Sequence, residues 1–582
     1  MANRERPNKD ESRGFDCPAG GILTDSTQRG RGGEAMTSTA SRAGGDGDRE
    51  YECKLGGTVA QLRAVRKAAQ GLSSSRIAWV TDDLESVYYD TPDMRLGRRG
   101  ATLRVRRKKG RFIQNVKSQN DGTGALFARG EWEQEVDSLT LRLDLLPEAA
   151  VEVMGLVLPG ELQETFRTRF MRERAVVTRR GAMGPESRIE IAIDNGEVIA
   201  VNRNAAGIPV KGARAKLREK IQECELELLQ GDPRDLFEVA LELQQTAGLT
   251  IIQETKAARG YRLLTPPKIV PVRAGRTSLR PDQSVNAAIA EILRAGTRHM
   301  LANEGPAIEG TDPEGVHQFR VAVRRMRSML SVFSKLLDPA RVDWLKAELK
   351  WIADQFGPAR DWDVFVAEIL GPPKKAGVEP AAMIELAAAA EDRRLDAYAL
   401  VREALKSPRY AGLVLRLSAF TETQGWAPQP CPPDHPLAQP IMDWAGPILN
   451  RAHKKTLQAG DGLAKLDVPA RHLLRIRLKK LRYNTDFLQA LYESSAKKKY
   501  LRALERLQDD FGHLNDVAVA ETLLAELADD HRGGRKGNEP AIRAASAAIM
   551  GWHARGLYDS EPRLLADWDK FTNARPFWRK GK

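Results

Sequence analysis

In a β-strand, residues two apart share a face, and this 582-residue chain repeatedly places charge at that spacing. Glu50, Glu52 and Lys54 alternate with Tyr51, Cys53 and Leu55. Arg104 and Arg106 share a face, as do Glu131, Glu133 and Glu135, then Arg167 and Arg169, Glu190 and Asp194, and Glu223, Glu225 and Glu227. A one-sided sheet with its charges in water would account for any single strand. Three features argue for more. The charges are segregated by sign, strand by strand. Glu-x-Glu pairs offer the oxygen ligands that a hard divalent cation takes. Arg-x-Arg pairs offer guanidinium forks that match phosphate oxygens. If the sheet closes, these faces line a polar tunnel and the apolar faces pack outward under helices.

A second constellation has helical spacing. Offsets of 0, 3, 7 and 10 fall within about 80° on an α-helix, so His317, Arg320, Arg324 and Arg327 form one stripe with Arg325 at its edge. His472, Arg475, Lys479 and Arg482, with Lys480 beside them, repeat the stripe 155 residues later. The same shift carries Phe356-Gly357 onto Phe511-Gly512 and Asp361 onto Asp516. A lone basic stripe reads as a solvated helix face. One that recurs with its leading histidine and its downstream motif reads as two related helical bundles that line an anion cleft. Asp361 and Asp516 fit structural roles, bonding the stripe or capping a helix, better than acid catalysis.

These residues sit in halves of different rhythm. From about 50 to 230 the pattern alternates, with turn signals at Thr91-Pro92-Asp93 and Asp194-Asn195-Gly196 and helical stretches at Arg63–Ala69 and Pro233–Gln244. Pro266, Pro267, Pro271 and Pro281 mark residues 264–282 as a linker. Helical periodicity follows at 283–302, 313–337, 380–405 and 467–492. The length exceeds what one core holds. A formal charge of +13 points to an anionic partner. Aromatic residues make up only 6%, with no stacking platform beside the basic stripes, which argues against nucleic acid. All eight histidines lie at or beyond His299, so the first half has no histidine for metal binding or catalysis. Cys17, Cys53, Cys224 and Cys431 form no CxxC pair, which predicts neither a zinc ribbon nor a disulfide framework and favours a reducing, cytoplasmic location. No apolar run reaches membrane-spanning length, so no membrane association is expected. Residues 1–48, rich in Gly, Ser, Arg and Asp, read as a disordered tail, and Met36 is an alternative start.

The ordered motifs of the first half resemble the CYTH, or triphosphate tunnel metalloenzyme, family. They run from Glu50-x-Glu52-x-Lys54 through Tyr88-Tyr89-Asp90-Thr91-Pro92, Leu103-Arg104-Val105-Arg106, Lys117, Arg129-Gly-Glu131-Trp132-Glu133 and Phe166-Arg167-Thr168-Arg169. They end with Ile189 to Asp194, Glu223 to Leu228 and Lys256 to Tyr261. The resemblance covers 49–263. It implies an α+β half, an eight-stranded antiparallel tunnel barrel with flanking helices, that binds a triphosphate with Mg²⁺ or Mn²⁺. Carried over, Lys54, Arg104, Arg106, Lys117, Arg169 and Lys256 grip phosphate, joined by Arg167. Glu50, Glu52, Glu225 and Glu227 hold metal. Glu131, Glu133, Glu190 and Asp194 are further tunnel carboxylates that orient cations or water.

The second half, 283–570, resembles the CHAD domain through both stripes, through Phe356 to Val364, and through Leu507 to Asp516. This implies an all-α half of two related helical bundles, polyphosphate binding by the ten stripe residues, and association with polyphosphate granules. Lys479 and Lys480 replace Arg324 and Arg325 in the second copy, which keeps the charge and loses the fork. The combined expectation is a metal-dependent inorganic triphosphatase that splits tripolyphosphate into diphosphate and phosphate. The alternatives are a catalytically weak polyphosphate scaffold, or a hydrolase of nucleoside or thiamine triphosphate.

Overall fold

Alternation in the first half builds one antiparallel sheet in the computed structural model, which describes residues 51–118, 126–127, 130–180, 186–201, 216–275, 277–378, 380–528 and 539–579. These residues belong to one compact unit. The strands are β1 (Glu52–Gly56), β2 (Val80–Asp90), β3 (Thr102–Lys108), β4 (Arg111–Lys117), β5 (Leu126–Phe127), β6 (Glu131–Val136), β7 (Gln163–Arg180), β8 (Glu186–Val201), β9 (Lys216–Gln230) and β10 (Thr250–Ile251). Eight of these described strands have five or more residues; β5 and β10 have two each. Their order is β10-β1-β9-β8-β7-β2-β3-β4-β6, with β5 on β1. Thus β5 pairs with β1, next to the β10 edge, while β6 pairs with β4 and forms the opposite edge. The result is tunnel-like, although among the described residues β6 does not pair with β1 and the ladder is not closed.

Helices α1 (Val59–Leu72), α2 (Arg95–Arg98), α3 (Glu148–Met154), α4 (Pro233–Ala247) and α5 (Lys256–Leu264) flank the sheet. A capping box of Thr58 and Gln61 starts α1. Asp232 caps α4 before Pro233, and Gly248 ends it in the left-handed conformation. The apolar strand residues Cys53, Leu55, Val177, Ile189, Ile191, Cys224 and Leu226 pack with Leu62, Val65, Leu236 and Phe237 from α1 and α4. Leu103 and Val116 pack under α3. A further cluster joins Leu84, Tyr88, Phe166, Phe170, Val198 and Ile221 to Ala257 of α5. Those strand residues lie on the opposite face from the first cluster, so α5 fills part of the interior. Asp194-Asn195-Gly196 is not a turn, because β8 runs straight through it. Gly196 is needed where β8 crosses β7 closely, since a Cβ there would strike the Arg169 carbonyl and Phe170.

The second half is helical: α6 (Val285–Ala302), α7 (Glu304–Glu309), α8 (Glu314–Val332), α9 (Pro339–Gln355), α10 (Gly357–Val364), α11 (Gly371–Lys375), α12 (Pro380–Lys406), α13 (Pro408–Glu422), α14 (Ile441–Ala459), α15 (Val468–Leu488), α16 (Ala496–Ala528) and α17 (Glu539–Thr572). A 155-residue shift places α6, α8 and α12 on α14, α15 and α17, and places α9 with α10 on the single helix α16. Pro358 explains the break: it has no N–H to give the Asp354 carbonyl, whereas His513 at the equivalent place lets α16 continue. Between α5 and α6 the described chain forms neither helix nor strand, apart from a bridge of Ser284 to Pro440. That strap is held down, since the Asn303 side chain bonds both Val272 N (2.9 Å) and Val272 O (2.9 Å). Where the halves meet, Gln244 Nε2 of α4 donates to the Pro408 carbonyl at 2.9 Å. Among described residues, no helix is long and apolar enough to cross a membrane.

Candidate functional sites

Cross-strand partners in an antiparallel pair point to the same side, so the register defines the tunnel face. One row runs Glu52–Glu227–Glu190, and the next runs Lys54–Glu225–Ala192–Arg174. A third runs Glu223–Asp194–Arg172–Asp82. Further round, Ser86 faces Arg106; Tyr88, Arg104, Asn115 and Glu133 align; and Lys117 faces Glu131. Lys256, first residue of α5, enters the same space, where Thr255 caps the helix by accepting from Ala258 N.

The charges pair closely. Lys256 Nζ lies 2.7 Å from Asp194 and 2.8 Å from Glu225, and it also bonds Glu223. Arg172 grips Asp194 with both prongs (2.8 and 2.6 Å) and reaches Glu225. Lys54 bonds Glu52 and Glu225. On the other wall Lys117 Nζ meets Glu131 at 2.6 Å, and Asn115 Nδ2 donates to Glu131 (2.6 Å) and Glu133 (3.3 Å). Arg104 approaches Glu131 at 3.8 Å and donates to the Tyr88 hydroxyl at 3.4 Å. Arg174 bonds Glu190 at 3.0 Å. Burial alone would raise the Glu225 pKa, but Lys256, Lys54 and Arg172 outweigh it and hold the carboxyl well below its usual range. For Asp194, too, burial is outweighed by Lys256 and Arg172. Burial, with Arg104 and Arg172 nearby, pushes Arg106 down to about 10, so this guanidinium is short of counter-charge.

Two expected residues lie elsewhere. Arg167 and Arg169 pair in register with Val87 and Glu85 of β2, on the outer face, where both bond Glu85 (3.4 and 3.1 Å). Arg172 and Arg174 hold the interior positions instead. The two Arg-x-Arg pairs of β7 are separated by an odd step, so they occupy opposite faces. Of the proposed metal ligands, Glu50 lies outside the described residues. Glu52, Glu225 and Glu227 reach the tunnel face, and among the described residues Asp194, Glu223 and Glu225 form a cluster that could hold a metal ion, with one oxygen of each within 4.8 Å of the others. Only oxygen donors are offered, the set that suits a hard divalent cation.

In the helical half the stripes split. Arg320, Arg324, Arg475 and Lys479 act on one another electrostatically, and Arg324 stacks 5.7 Å from the Tyr483 ring. Burial, then Arg475 and Arg324, push Lys479 down to about 7. Burial, then Arg360, Arg324, Arg320 and Arg273, push His317 down to about 4, so this imidazole is neutral at neutral pH. The sequence stripes did not include Arg273, on the strap, or Arg360, on α10. Arg325 turns to Thr277 of the strap (3.3 Å) and to the Phe487 ring (5.5 Å). Arg482 is tied to Asp486 at 3.0 Å. Arg327, His472 and Lys480 are exposed. Asp361 and Asp516 stand close enough to affect each other, and burial raises the Asp361 pKa against the pull of Arg320.

This architecture has relatives. The CYTH domain family matches residues 48–261 and the CHAD domain family matches residues 291–525. The chain thus joins a CYTH domain to a CHAD domain. An uncharacterised protein of Mycobacterium tuberculosis is 26% identical over 419 residues, 69% of this chain and 75% of the relative. An inorganic triphosphatase of Haemophilus influenzae is 29% identical over 185 residues; the match covers 31% of this chain and 46% of that protein, under half its length. The crystal structure of the CHAD domain from the plant Ricinus communis is 30% identical and covers 53% of this chain and 98% of its own, with a TM-score of 0.45.

Proposed function

We propose that the tunnel half hydrolyses inorganic tripolyphosphate to diphosphate and phosphate with Mg²⁺ or Mn²⁺, and that the helical half binds polyphosphate and can hold the protein on polyphosphate granules. The observation that carries the first reading is one sheet face on which Lys54, Arg104, Arg106, Lys117 and Arg172 align with nine carboxylates in register, joined by Lys256 from α5. The cations neutralise a substrate whose own charge repels nucleophiles. Asp194, Glu223, Glu225 and Glu52 would hold the metal, sharing oxygens that now bond Lys256 and Lys54. A bound ion would neutralise phosphate charge and make water a better nucleophile. Glu131, Glu133 and Glu190, on the same face, would orient that water and take its proton. Water oxygen bonds to the terminal phosphorus as the bridging P–O bond breaks and diphosphate leaves. The cluster of Arg320, Arg324, Arg475 and Lys479, with Arg360 and Arg273 nearby, supports the second reading, because regular phosphate arrays suit closely spaced cations.

The test is phosphate release from tripolyphosphate, ATP, thiamine triphosphate and long-chain polyphosphate, with Mg²⁺, Mn²⁺ or EDTA, for wild type and Glu52→Gln. Metal-dependent release chiefly from tripolyphosphate, lost in the variant, is expected. Release chiefly from ATP or thiamine triphosphate would reassign the substrate. No release with polyphosphate binding retained would make the protein a scaffold.

A further inference from the structure

Asp82 takes no part in the chemistry above, yet its side chain is wholly buried on the tunnel face and three cations converge on it. Arg174 Nε lies 3.1 Å away, Lys109 Nζ 3.0 Å and Lys108 Nζ 3.5 Å. Lys108 ends β3, and Lys109 with Gly110 makes the turn into β4. Both turn residues have positive φ (49° and 81°), as a tight two-residue hairpin requires. The hairpin therefore carries its two lysines at a defined place, and Asp82 ties them to Arg174 across β2.

The face of β3 leads from the interior to this tip. Side-chain exposure rises from 10% at Arg104 to 35% at Lys108 and 63% at Lys109, which marks the hairpin as the mouth. Arg104, Arg106 and Lys108 are successive residues of one strand face, spanning about 13 Å at the usual rise. That is more than the two anhydride links of a tripolyphosphate cover. A buried carboxylate ringed by three cations at the end of such a ladder occupies the kind of position a phosphate would take.

We propose that Lys108, Lys109 and Arg174 form an outer phosphate subsite at the tunnel mouth, occupied by the Asp82 carboxylate in the free protein, and that this subsite favours linear polyphosphates longer than three phosphates. The inference rests on the triphosphatase reading and extends it to chain-length selection. Arg174 also holds Glu190, so the lysines are the cleaner probes.

The test uses the full chain with Arg320→Ala and Arg324→Ala in every arm, so that the helical cleft does not compete for long anions. Tripolyphosphate and long-chain polyphosphate are compared by kcat/KM and by calorimetric affinity. Lys108→Ala with Lys109→Ala lowers the long-to-short ratio about tenfold, as expected for two partly exposed ionic contacts. Lys108→Arg with Lys109→Arg keeps the ratio. An unchanged ratio in the alanine variant, or an equal fall for both anions, would overturn the subsite. If neither anion is hydrolysed even without these lysine changes, the triphosphatase reading fails by itself, and the affinity ratio still decides the subsite.

Discussion

Arg172→Met and Arg169→Met, three residues apart on one strand, should behave as opposites. Arg172 makes two bonds to Asp194, which is wholly buried, and one to Glu225, which is 13% exposed. Its loss leaves Asp194 with Lys256, and Glu225 with Lys256 and Lys54. Breaking a buried pair from one side costs about 3–5 kcal/mol. The lysines that remain place the expected cost near the lower end, about 3 kcal/mol. At a urea slope of about 1–3 kcal/mol per molar, the midpoint falls by about 1–3 M. Arg169 is 60% exposed and shares Glu85 with Arg107 and Arg167. Such a surface pair contributes at most about 1 kcal/mol, so its midpoint should barely move. Urea unfolding followed by circular dichroism measures both, and phosphate release from tripolyphosphate should vanish only in Arg172→Met. Equal midpoints, or loss of activity in Arg169→Met alone, would refute the assignment of the interior face.

Other outcomes follow from the same geometry. Gly260→Ala puts a methyl group against the Phe166 ring in the α5 packing, and overpacking of this kind costs about 1–3 kcal/mol; a thermal melt with tripolyphosphate kinetics should show lower stability and weaker substrate binding. Mg²⁺ or Mn²⁺ should raise the thermal midpoint of the wild type, by about 2.7 kcal/mol of stability at a hundredfold excess over Kd, and raise that of Glu225→Gln much less. Lys479, held down to about 7 by burial and by Arg475 and Arg324, is half neutral near that pH. A bound polyanion favours its protonated form, so binding takes up a proton above pH 7 and affinity falls as pH rises through about 7. Calorimetry in buffers of different ionisation enthalpy should show the uptake, and Lys479→Met should abolish it. For folding the sign is reversed: the lysine pKa is lower in the folded than in the unfolded chain, so its contribution to stability rises with pH between about 7 and 10.

Much of the site is legible in the residue order. Period-two alternation identified strands and told which residues of each strand share a face, because that depends only on the pleat of one segment. The 155-residue repeat and the helical stripe were visible for the same reason, as was the absence of histidine from the first half. The rest is not. The side of β7 that faces inward depends on its pairing with β2 and β8, and two Arg-x-Arg pairs on opposite faces look alike in sequence. The carboxylate cluster of Asp194, Glu223 and Glu225 joins β8 to β9, and Asp82 belongs with a hairpin more than twenty positions downstream. The stripes held a similar ambiguity: helical period put Arg325 and Arg482 beside their neighbours, and packing turned one to the strap and the other to Asp486. Local periodicity is a property of a single backbone segment, so the residue order alone reveals it. Register, and the identity of the charge across the way, arise only when distant segments pair, and that is where the tertiary structure chose which arginines of this protein line the tunnel.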